Sequence, residues 1–244
     1  MAFGIFVCLI GLAGLLVYLS PAPERPPVAR ARTPALEPRL SAPERVAKNL
    51  EAELERVAER YPASYGVVVS DPSSGETVKM NPDQVHLAAS LSKLYALLTL
   101  YRAAASGTVD LDAPITMQAS DVQAYGTGVL YRYPVGTTMS LRECAGFLIK
   151  ESDNTAEVML NRYLGEANIE AELRRAGARS TSYWMPNTTT PNDVMVVLKA
   201  IADPSYTSPE LSAEMLDMMT DTSFEDRLPE PLPEDARVAH KIGS

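Results

Sequence analysis

The sequence predicts an α/β sandwich (α+β), an antiparallel sheet with a helical subdomain, and two patterns carry this prediction. From about residue 44, a helix and two strands joined by a tight turn are followed by a long block of helices, an order typical of that class. Within the block, residues 90–105 are apolar on every side, as in a helix buried between other elements. Since 46% of the 244 residues are hydrophobic, the chain can build a sizeable core.

The first 43 residues differ from this domain in composition. Residues 3–19 are apolar or small throughout, and as a helix they would span about 25 Å, slightly less than a bilayer hydrocarbon core of about 30 Å. We interpret residues 1–19 as a signal segment or a membrane anchor. We favour an uncleaved anchor, because Pro23 follows the small residues of the candidate cleavage site. Residues 20–43 are rich in proline and form a predicted linker. The domain, residues 44–244, would then lie outside the cytoplasm, in the periplasm or at the cell surface.

Charge and cysteine content argue against several kinds of partner. The net charge is −9, and the first 43 residues carry four Arg against two Glu, so the domain itself is still more acidic. A domain this acidic is a poor candidate for binding nucleic acid. Cys8 and Cys144 are not expected to pair, because Cys8 lies in the apolar N-terminal stretch. With two histidines and no Cys/His cluster, the sequence predicts no metal site and no cofactor.

The elements of the domain follow in order from periodicity and turn residues. Apolar residues at helical spacing, with charges between them, predict a first helix from about residue 44 that ends at Pro62. Two strands, 65–70 and 76–80, flank the turn sequence Asp71-Pro72-Ser73-Ser74-Gly75. A buried helix over 90–105 comes next. Further helices are predicted at about 141–150, 155–164, 166–176, 191–202 and 208–219, and residues 238–244 are predicted to begin a strand.

Three short motifs stand in one order along the domain: Ser90-Leu91-Ser92-Lys93, Ser152-Asp153-Asn154 and His240-Lys241-Ile242-Gly243. Each alone is weak, since Ser-x-x-Lys arises about once by chance in a chain of this length. Together they supply a hydroxyl nucleophile, two lysines, a second hydroxyl and an amide. That set suffices for attack on an amide or lactam carbonyl through a covalent serine ester.

Ser90 and Lys93 are the candidate nucleophile and base. Three residues apart on a helix, their side chains share a face, and Ser90 would meet the positive end of the helix dipole. A lysine kept from bulk water can accept a proton and so deprotonate Ser90. The alternative is a helix-capping serine beside a solvated lysine. It is disfavoured because Lys93 interrupts an apolar helix, where a free lysine would be costly.

The second motif lies between two predicted helices. Ser152 can pass a proton to a leaving nitrogen, and Asn154 can bind a substrate amide or Lys93. Asp153 is expected to order the loop or to cap the next helix. The alternative is that all three residues form only a helix N-cap cluster, which these residue types favour.

The third motif offers binding groups. Lys241 can supply positive charge to a substrate carboxylate, and Gly243 permits close approach of a ligand to the backbone. The backbone N–H groups of Ser90 and Ser244 are candidate oxyanion donors.

These motifs resemble those of the penicillin-recognising serine hydrolases, specifically the class A β-lactamase-like group. The resemblance covers about residues 44–244. It implies a helical subdomain packed on a five-stranded antiparallel sheet, with Ser90 acylated, Lys93 as its base and Ser152 as a proton relay. It also implies that Asn154 contacts the substrate and that Lys241 anchors the substrate carboxylate. Further matching stretches are Ala88-Ala89-Ser90, Gly126-Thr127-Gly128-Val129-Leu130, Val135-Gly136-Thr137-Thr138, Ser152-Asp153-Asn154-Thr155-Ala156 and Thr189-Thr190-Pro191.

Three features depart from that group. Its members carry a glutamate in an Ω-loop that positions the deacylating water, whereas residues 176–191 of this chain contain no acid. Ile242 stands where a hydroxyl residue is expected, which removes one substrate hydrogen bond. The chain also ends where the last two strands of the sheet and a C-terminal helix would follow.

Two functions from different classes remain open. The first is an extracytoplasmic serine hydrolase, a monomer that opens β-lactams or related D-Ala-D-Ala-type amides, with a small molecule or a cell-wall peptide as substrate. The second is an acyl-binding, sensor or degenerate penicillin-binding domain with little or no turnover. The intact nucleophile favours acylation, and the missing acid favours slow deacylation. Glu157 is the first acid after the second motif, but the sequence does not show whether it faces Ser90.

Overall fold

A computed structural model describes residues 5–10, 15–19, 42–233 and 236–243, with side chains from residue 46 onward. The elements follow one another as a short N-terminal pair of strands, a helix, a strand hairpin and a helical block. In chain order they are β1 (Ile5–Ile10), β2 (Leu15–Leu19), α1 (Ala42–Arg60), β3 (Gly66–Ser70), β4 (Thr77–Met80), β5 (His86–Leu87), α2 (Ser92–Ala105), β6 (Pro114–Thr116), β7 (Thr138–Ser140), α3 (Leu141–Lys150), α4 (Asn154–Leu164), α5 (Glu166–Ala176), β8 (Thr188–Thr189), α6 (Pro191–Ala202) and α7 (Pro209–Met218).

The main sheet separates two hydrophobic cores. Its strand order is β2-β1-β3-β4, and every neighbouring pair is antiparallel. In β3, Val67 and Val69 pack with Leu50 and Leu54 of α1, whereas Val68 belongs to the core of the helical body. Because alternate side chains of a strand point to opposite faces, a strand that is buried at every position, as β3 is, can serve both cores.

Helix α2 is the centre of the helical body. Every residue from Leu91 to Tyr101 is buried, and α2 packs against α3, α4, α5, α6 and α7. The prediction of a buried helix over 90–105 is confirmed, with the refinement that its first turn, Ala89–Leu91, is a 3-10 turn. The first motif therefore lies at the start of the most enclosed element of the fold.

The other predicted helices are confirmed as α1 and α3 to α7: α3, α5 and α6 have the predicted bounds, and the ends of the others differ from the sequence-based bounds by one or two residues at most. The predicted hairpin is β3 and β4. Its turn is shaped by Asp71, whose carboxylate accepts hydrogen bonds from the Ser73 N–H at 2.8 Å and the Ser74 hydroxyl at 2.7 Å. Cys144 is buried in α3, as expected of a small apolar side chain.

The strand predicted at 238–244 is wrong in its described part, because residues 238–242 belong to no strand of the described chain. All five residues are buried, so this segment has no face turned to solvent. The backbone N–H of His240 donates to the Met219 carbonyl at 2.8 Å, which ties the segment to the end of α7. The side-chain pattern of this segment does not by itself distinguish such an enclosed, irregular stretch from a buried strand. Ser244 lies outside the described residues.

The N-terminal stretch is described only as β1 and β2. The two strands pair with Ile5 opposite Leu19, and β1 pairs on its other side with β3. The structure therefore describes strands, and not one helix, within residues 3–19. No helix of the described residues is long and apolar enough to cross a membrane. The interpretation of residues 1–19 as an anchor or signal segment stays a prediction, and most of the linker, 20–43, falls outside the described residues.

Candidate active site

The start of α2 brings Ser90 and Lys93 together. The chain turns sharply at Ala89, whose φ is 46°, and continues through the 3-10 turn into the helix. Lys93 Nζ lies 2.9 Å from Ser90 Oγ, although the lysine is only 1% exposed. The alternative of a solvated lysine beside a capping serine is thus ruled out by burial. A buried amine in hydrogen-bond contact with a half-buried hydroxyl is the arrangement that nucleophilic serine chemistry needs.

Two neighbouring segments fix this turn. Asn187 accepts the Ala88 N–H on its backbone carbonyl at 3.1 Å, and its side-chain Nδ2 donates to the Ala89 carbonyl at 3.0 Å. Gly243 approaches from the other side, where a Cβ atom would lie 2.8 Å from the Ala88 carbonyl oxygen. Only glycine allows this distance, so Gly243 permits close approach of the protein's own backbone to the nucleophile turn.

The second motif forms a strained loop before α4. Ser152 has a φ of 51°, in the left-handed region that non-glycine residues rarely adopt. Asp153 caps α4 by accepting from the Ala156 N–H at 3.0 Å, and it also accepts from the Leu130 N–H at 2.8 Å. Gly128, with a φ of 116°, passes so close that a Cβ atom there would lie 2.4 Å from the Asp153 carboxyl group. Asp153 thus both caps the helix and orders the loop.

Asn154 connects this loop to the nucleophile. Its Oδ1 accepts from Lys93 Nζ at 2.8 Å, and its Nδ2 donates to the Tyr125 carbonyl at 3.0 Å. The backbone N–H of Asn154 donates to the Thr127 carbonyl at 3.1 Å. Of the two roles suggested by the sequence, contact with Lys93 is the one the structure describes.

Lys241 forms a second lysine–serine pair with Ser152. Its Nζ donates to Ser152 Oγ at 2.8 Å and to the Ile242 carbonyl at 3.1 Å, and the ring of Phe224 lies 5.8 Å away. Burial lowers the pKa of Lys241 well below its usual range, and the charge of Lys93 lowers it further, while Glu157 acts in the opposite direction. Since Lys241 is 2% exposed, its contacts are internal, and its role as a carboxylate anchor stays a prediction.

Glu157 is the functional residue whose position the sequence left open. Its Oε2 lies 3.1 Å from Lys93 Nζ, and its Oε1 accepts from the Ser92 hydroxyl at 2.6 Å. Glu157 and Asn154 are three residues apart on α4, so they share the face that points to Lys93. That spacing, together with the preference for acids in the first turn of a helix, was the available signal. It could be recognised only once α4 was known to pack against α2.

A cavity of about 600 Å³ opens at this group. Of the predicted site residues, Ser90, Lys93 and Asn154 line it, while Ser152 and Lys241 form the second pair outside the lining. Among the described residues that line the cavity, Glu157 is the single acid. The lining consists of Ala89, Ser90, Ser92, Lys93, Gln123, Tyr125, Gly126, Thr127, Asn154, Glu157, Val158, Trp184, Met185 and Asn187. The predicted oxyanion donor Ser244 falls outside the described residues.

Comparison with known proteins shows the family of the chain. The model of the beta-lactamase enzyme family matches residues 49–244, about four fifths of the chain. The chain belongs to the beta-lactamase enzyme family. A beta-lactamase of Amycolatopsis lactamdurans is 31% identical over 156 residues, which are 59% of this chain and 48% of that protein. A beta-lactamase of Bacillus licheniformis is 27% identical over 128 residues, 52% of this chain and 40% of that protein. The alignments thus span about half or less of these curated relatives.

Solved structures confirm the predicted fold class. The structure of PBP-A has a TM-score of 0.74 and 28% identity, covering 80% of this chain and 77% of that one. A mutant of PBP-A, described as an acyl-enzyme complex with penicillin G, has a TM-score of 0.73 and 28% identity, covering 81% and 78%. A beta-lactamase from Sphaerobacter thermophilus, 23% identical with a TM-score of 0.70 and covering 79% and 87%, shows the shared fold.

Proposed function

We propose that this member of the beta-lactamase family is a serine hydrolase that opens β-lactams, or related D-Ala-D-Ala-type amides, through an acyl-enzyme on Ser90. The observation that carries the proposal is the 2.9 Å contact between Ser90 Oγ and the Nζ of Lys93, a lysine only 1% exposed. The PBP-A mutant described as a penicillin G acyl-enzyme supports the choice of a β-lactam as substrate.

Acylation uses the first lysine–serine pair. Ser90 Oγ attacks the amide carbonyl carbon, and its proton moves to Lys93 Nζ. Lys93 accepts that proton in its amine form, which it reaches by passing one of its own protons to solvent or to the Glu157 carboxylate 3.1 Å away. The Ser90 proton then resides on the Lys93–Glu157 pair, and the carbonyl carbon is bonded to Ser90 Oγ.

Departure of the amide nitrogen uses the second pair. The nitrogen needs a proton as its bond to the carbonyl carbon breaks, and Ser152 supplies it from its hydroxyl. Lys241 Nζ, which donates to Ser152 Oγ at 2.8 Å, replaces that proton from its charged form. Because burial lowers the pKa of Lys241, its ammonium form is a stronger acid than an exposed lysine and gives up the proton readily.

A second candidate function is an acyl-binding or sensor domain with little or no turnover. It is favoured by the connection between α5 and α6, residues 177–190, which contains no acid. The acid that follows, Asp193, is occupied by the Ser180 N–H at 2.6 Å and the Thr181 hydroxyl at 2.8 Å. Turnover therefore depends on whether another group activates water.

The test of acylation is covalent labelling of the full chain with a fluorescent penicillin, followed by intact-mass measurement. We expect an adduct of one drug molecule that is lost in Ser90→Ala and retained in Ser106→Ala, a control at the exposed end of α2. An unmodified mass after prolonged incubation would refute the proposed function. A chromogenic β-lactam then separates the two candidates: a burst near one equivalent with very slow turnover indicates the binding domain.

We also propose that the domain acts outside the cytoplasm as a monomer, held by its apolar N-terminal segment. The support is the uncharged apolar sequence of residues 3–19 and the proline-rich stretch after it. A reporter that is active only after export, fused after residue 244, should give signal with the native N-terminus and lose it when residues 1–19 are deleted. Equal cytoplasmic recovery of both forms would contradict this location, and size-exclusion chromatography of the domain tests the monomer.

A further inference from the structure

The position of Glu157 suggests a role beyond the ion pair. Its carboxylate is the single acid among the described residues that line the cavity, and its side chain is 11% exposed. Lys93 Nζ lies 2.9 Å from Ser90 Oγ and 3.1 Å from Glu157 Oε2. Ser90 Oγ and Glu157 Oε2 therefore contact the same lysine nitrogen, which places the carboxylate beside the nucleophile in one cavity.

Asn187 provides a second, independent observation. Its Nδ2 donates to the Ala89 carbonyl, which fixes the orientation of the amide and leaves Oδ1 as the free acceptor. This Oδ1 is buried and has no hydrogen-bond partner among the described residues. A buried acceptor without a partner is costly, and a water molecule that donates to it removes that cost. Asn187 lines the same cavity as Ser90 and Glu157.

We propose that Glu157 and Asn187 together bind the water molecule that hydrolyses the Ser90 acyl-enzyme, with Glu157 as the general base. The proposal rests on the proposed function, since it needs an ester on Ser90. A water between the two residues donates one hydrogen to the Glu157 carboxylate and the other to Asn187 Oδ1. Its oxygen lone pair is then available for the ester carbonyl carbon.

Before hydrolysis, the Lys93–Glu157 pair loses to solvent water the proton that it gained from Ser90, and Lys241 regains from solvent water the proton that it delivered. The hydrolytic step therefore begins with a Glu157 carboxylate and a Lys93 ammonium. The water oxygen bonds to the ester carbonyl carbon while one of its protons moves to Glu157. The bond between that carbon and Ser90 Oγ then breaks, and Ser90 Oγ takes a proton from the Lys93 ammonium. The proton on Glu157 returns to Lys93, which regenerates the ion pair and releases the carboxylic acid product.

This assignment places the base on a different element from the one expected by resemblance. Glu157 extends from the first turn of α4, whereas the connection between α5 and α6 supplies an amide, Asn187, and no acid. Ser92 helps to orient the base, because its hydroxyl donates to Glu157 Oε1 at 2.6 Å. Glu157 Oε1 is thus held by Ser92. Oε2 contacts Lys93 and is the oxygen that would accept a hydrogen bond from the water molecule.

The test compares Glu157→Gln with the unaltered chain, using a chromogenic β-lactam and intact-mass measurement. Glutamine keeps the shape of the side chain but cannot take a proton from water. Acylation should persist within about 10-fold, because Lys93 keeps its position 2.9 Å from Ser90 Oγ and remains the base for the nucleophile. Deacylation should fall by about 10²–10⁴-fold, so that the acyl-enzyme accumulates. Glu172→Gln is the matched control, since Glu172 is also buried and bonded to an arginine and a hydroxyl, Arg175 and Tyr206, but lies outside the cavity lining.

Two further measurements separate chemistry from structure. Hydroxylamine, a nucleophile that depends little on a general base, should release the acyl group from Glu157→Gln at close to the rate seen with the unaltered chain. Asn187→Ala should slow deacylation by about 10-fold, with Glu157 still present as base. Deacylation in Glu157→Gln at the unaltered rate overturns the proposal. Loss of acylation in a folded Glu157→Gln also overturns it, because Glu157 would then act only through Lys93. Absence of any adduct on the unaltered chain refutes the proposed function instead.

Discussion

The two lysine–serine pairs of the site have the same hydrogen-bond geometry and different surroundings. Lys93 lies 2.9 Å from Ser90, and Lys241 lies 2.8 Å from Ser152. Lys93 also contacts the Glu157 carboxylate at 3.1 Å. Lys241 has no carboxylate partner among the described residues, and its further contacts are the Ile242 carbonyl and an aromatic ring.

The difference shows how neighbouring charge assigns roles to chemically identical groups. A lysine beside a carboxylate can exchange a proton with it, so the Ser90 pair has a place to store the proton removed from the nucleophile. A lysine without such a partner, and with a pKa lowered by burial, is suited to giving its proton away. In the proposed mechanism, the two pairs therefore divide proton uptake and proton delivery between them.

The largest expected effect comes from removing the lysine of the first pair. Lys93→Met keeps the apolar stem and removes the base, so acylation by a β-lactam should slow by about 10²–10⁴-fold. The rate of adduct formation, followed by intact mass, measures this. Lys150→Met is the control, since Lys150 donates to the Thr220 carbonyl and lies outside the cavity lining. Acylation of Lys93→Met at an unchanged rate would mean that the two pairs do not differ in role.

A substitution at Gly128 tests the Asp153 loop, which holds Ser152 of the second lysine–serine pair. In Gly128→Ala the new Cβ atom would lie 2.4 Å from the Asp153 carboxyl group, at a φ of 116°. We expect the free energy of unfolding to fall by the cost of backbone strain, about 1–2 kcal/mol, together with the cost of overpacking, about 1–3 kcal/mol. Gly75→Ala is the matched control, because its φ of 77° carries the backbone strain and its Cβ would meet nothing within 4 Å. Equal losses in the free energy of unfolding for both variants, from urea denaturation, would show that the Asp153 loop is not tightly packed.

The difference in charge between the pairs also predicts a pH effect on stability. The unfolded chain keeps a proton on Lys241 up to about its ordinary pKa of 10.5, while the folded chain releases it at lower pH because burial lowers the pKa. Within that interval the unfolded state binds more protons, so the free energy of unfolding rises with pH. Lys241→Met removes this contribution and should gain stability over the unaltered chain at the acidic end of the interval. This advantage should shrink toward pH 10.5. Parallel stability curves for the two proteins would contradict the lowered pKa.

The comparison also shows what the sequence could and could not predict. Both lysines and both serines were identified from short motifs, because the chemistry requires those residue types and local spacing on a helix places Ser90 beside Lys93. The helices were predicted to within two residues, because periodicity and caps are local signals. The pairing of Lys241 with Ser152, 89 residues apart, was not assigned as a direct contact, since tertiary packing decides it.

Two regions show why the rest could not be predicted. Residues 238–242 have the composition of a strand, but they are enclosed on all sides and join the end of α7, which no local pattern reports. Glu157 was recognised as an acid near the second motif, but its contact with Lys93 depends on how α4 packs against α2. In both cases the missing information is long-range contact and not local propensity.

The smallest expected effect concerns the hydrogen bond that holds the Ser152 backbone. The Thr127 hydroxyl donates to the Ser152 carbonyl at 2.7 Å, next to the strained φ of the second serine. Thr127→Val keeps the shape and removes the donor, which should lower the free energy of unfolding by about 1 kcal/mol. Thr137→Val is the matched control, because Thr137 donates to the Pro134 carbonyl at the same 2.7 Å in an exposed turn. We expect Thr127→Val, and not Thr137→Val, to slow acylation by about 5-fold, since about 1 kcal/mol of lost positioning corresponds to a factor of that size. If both variants lose similar stability and neither changes the acylation rate, Ser152 is held in place by Asp153 and Lys241 without help from Thr127.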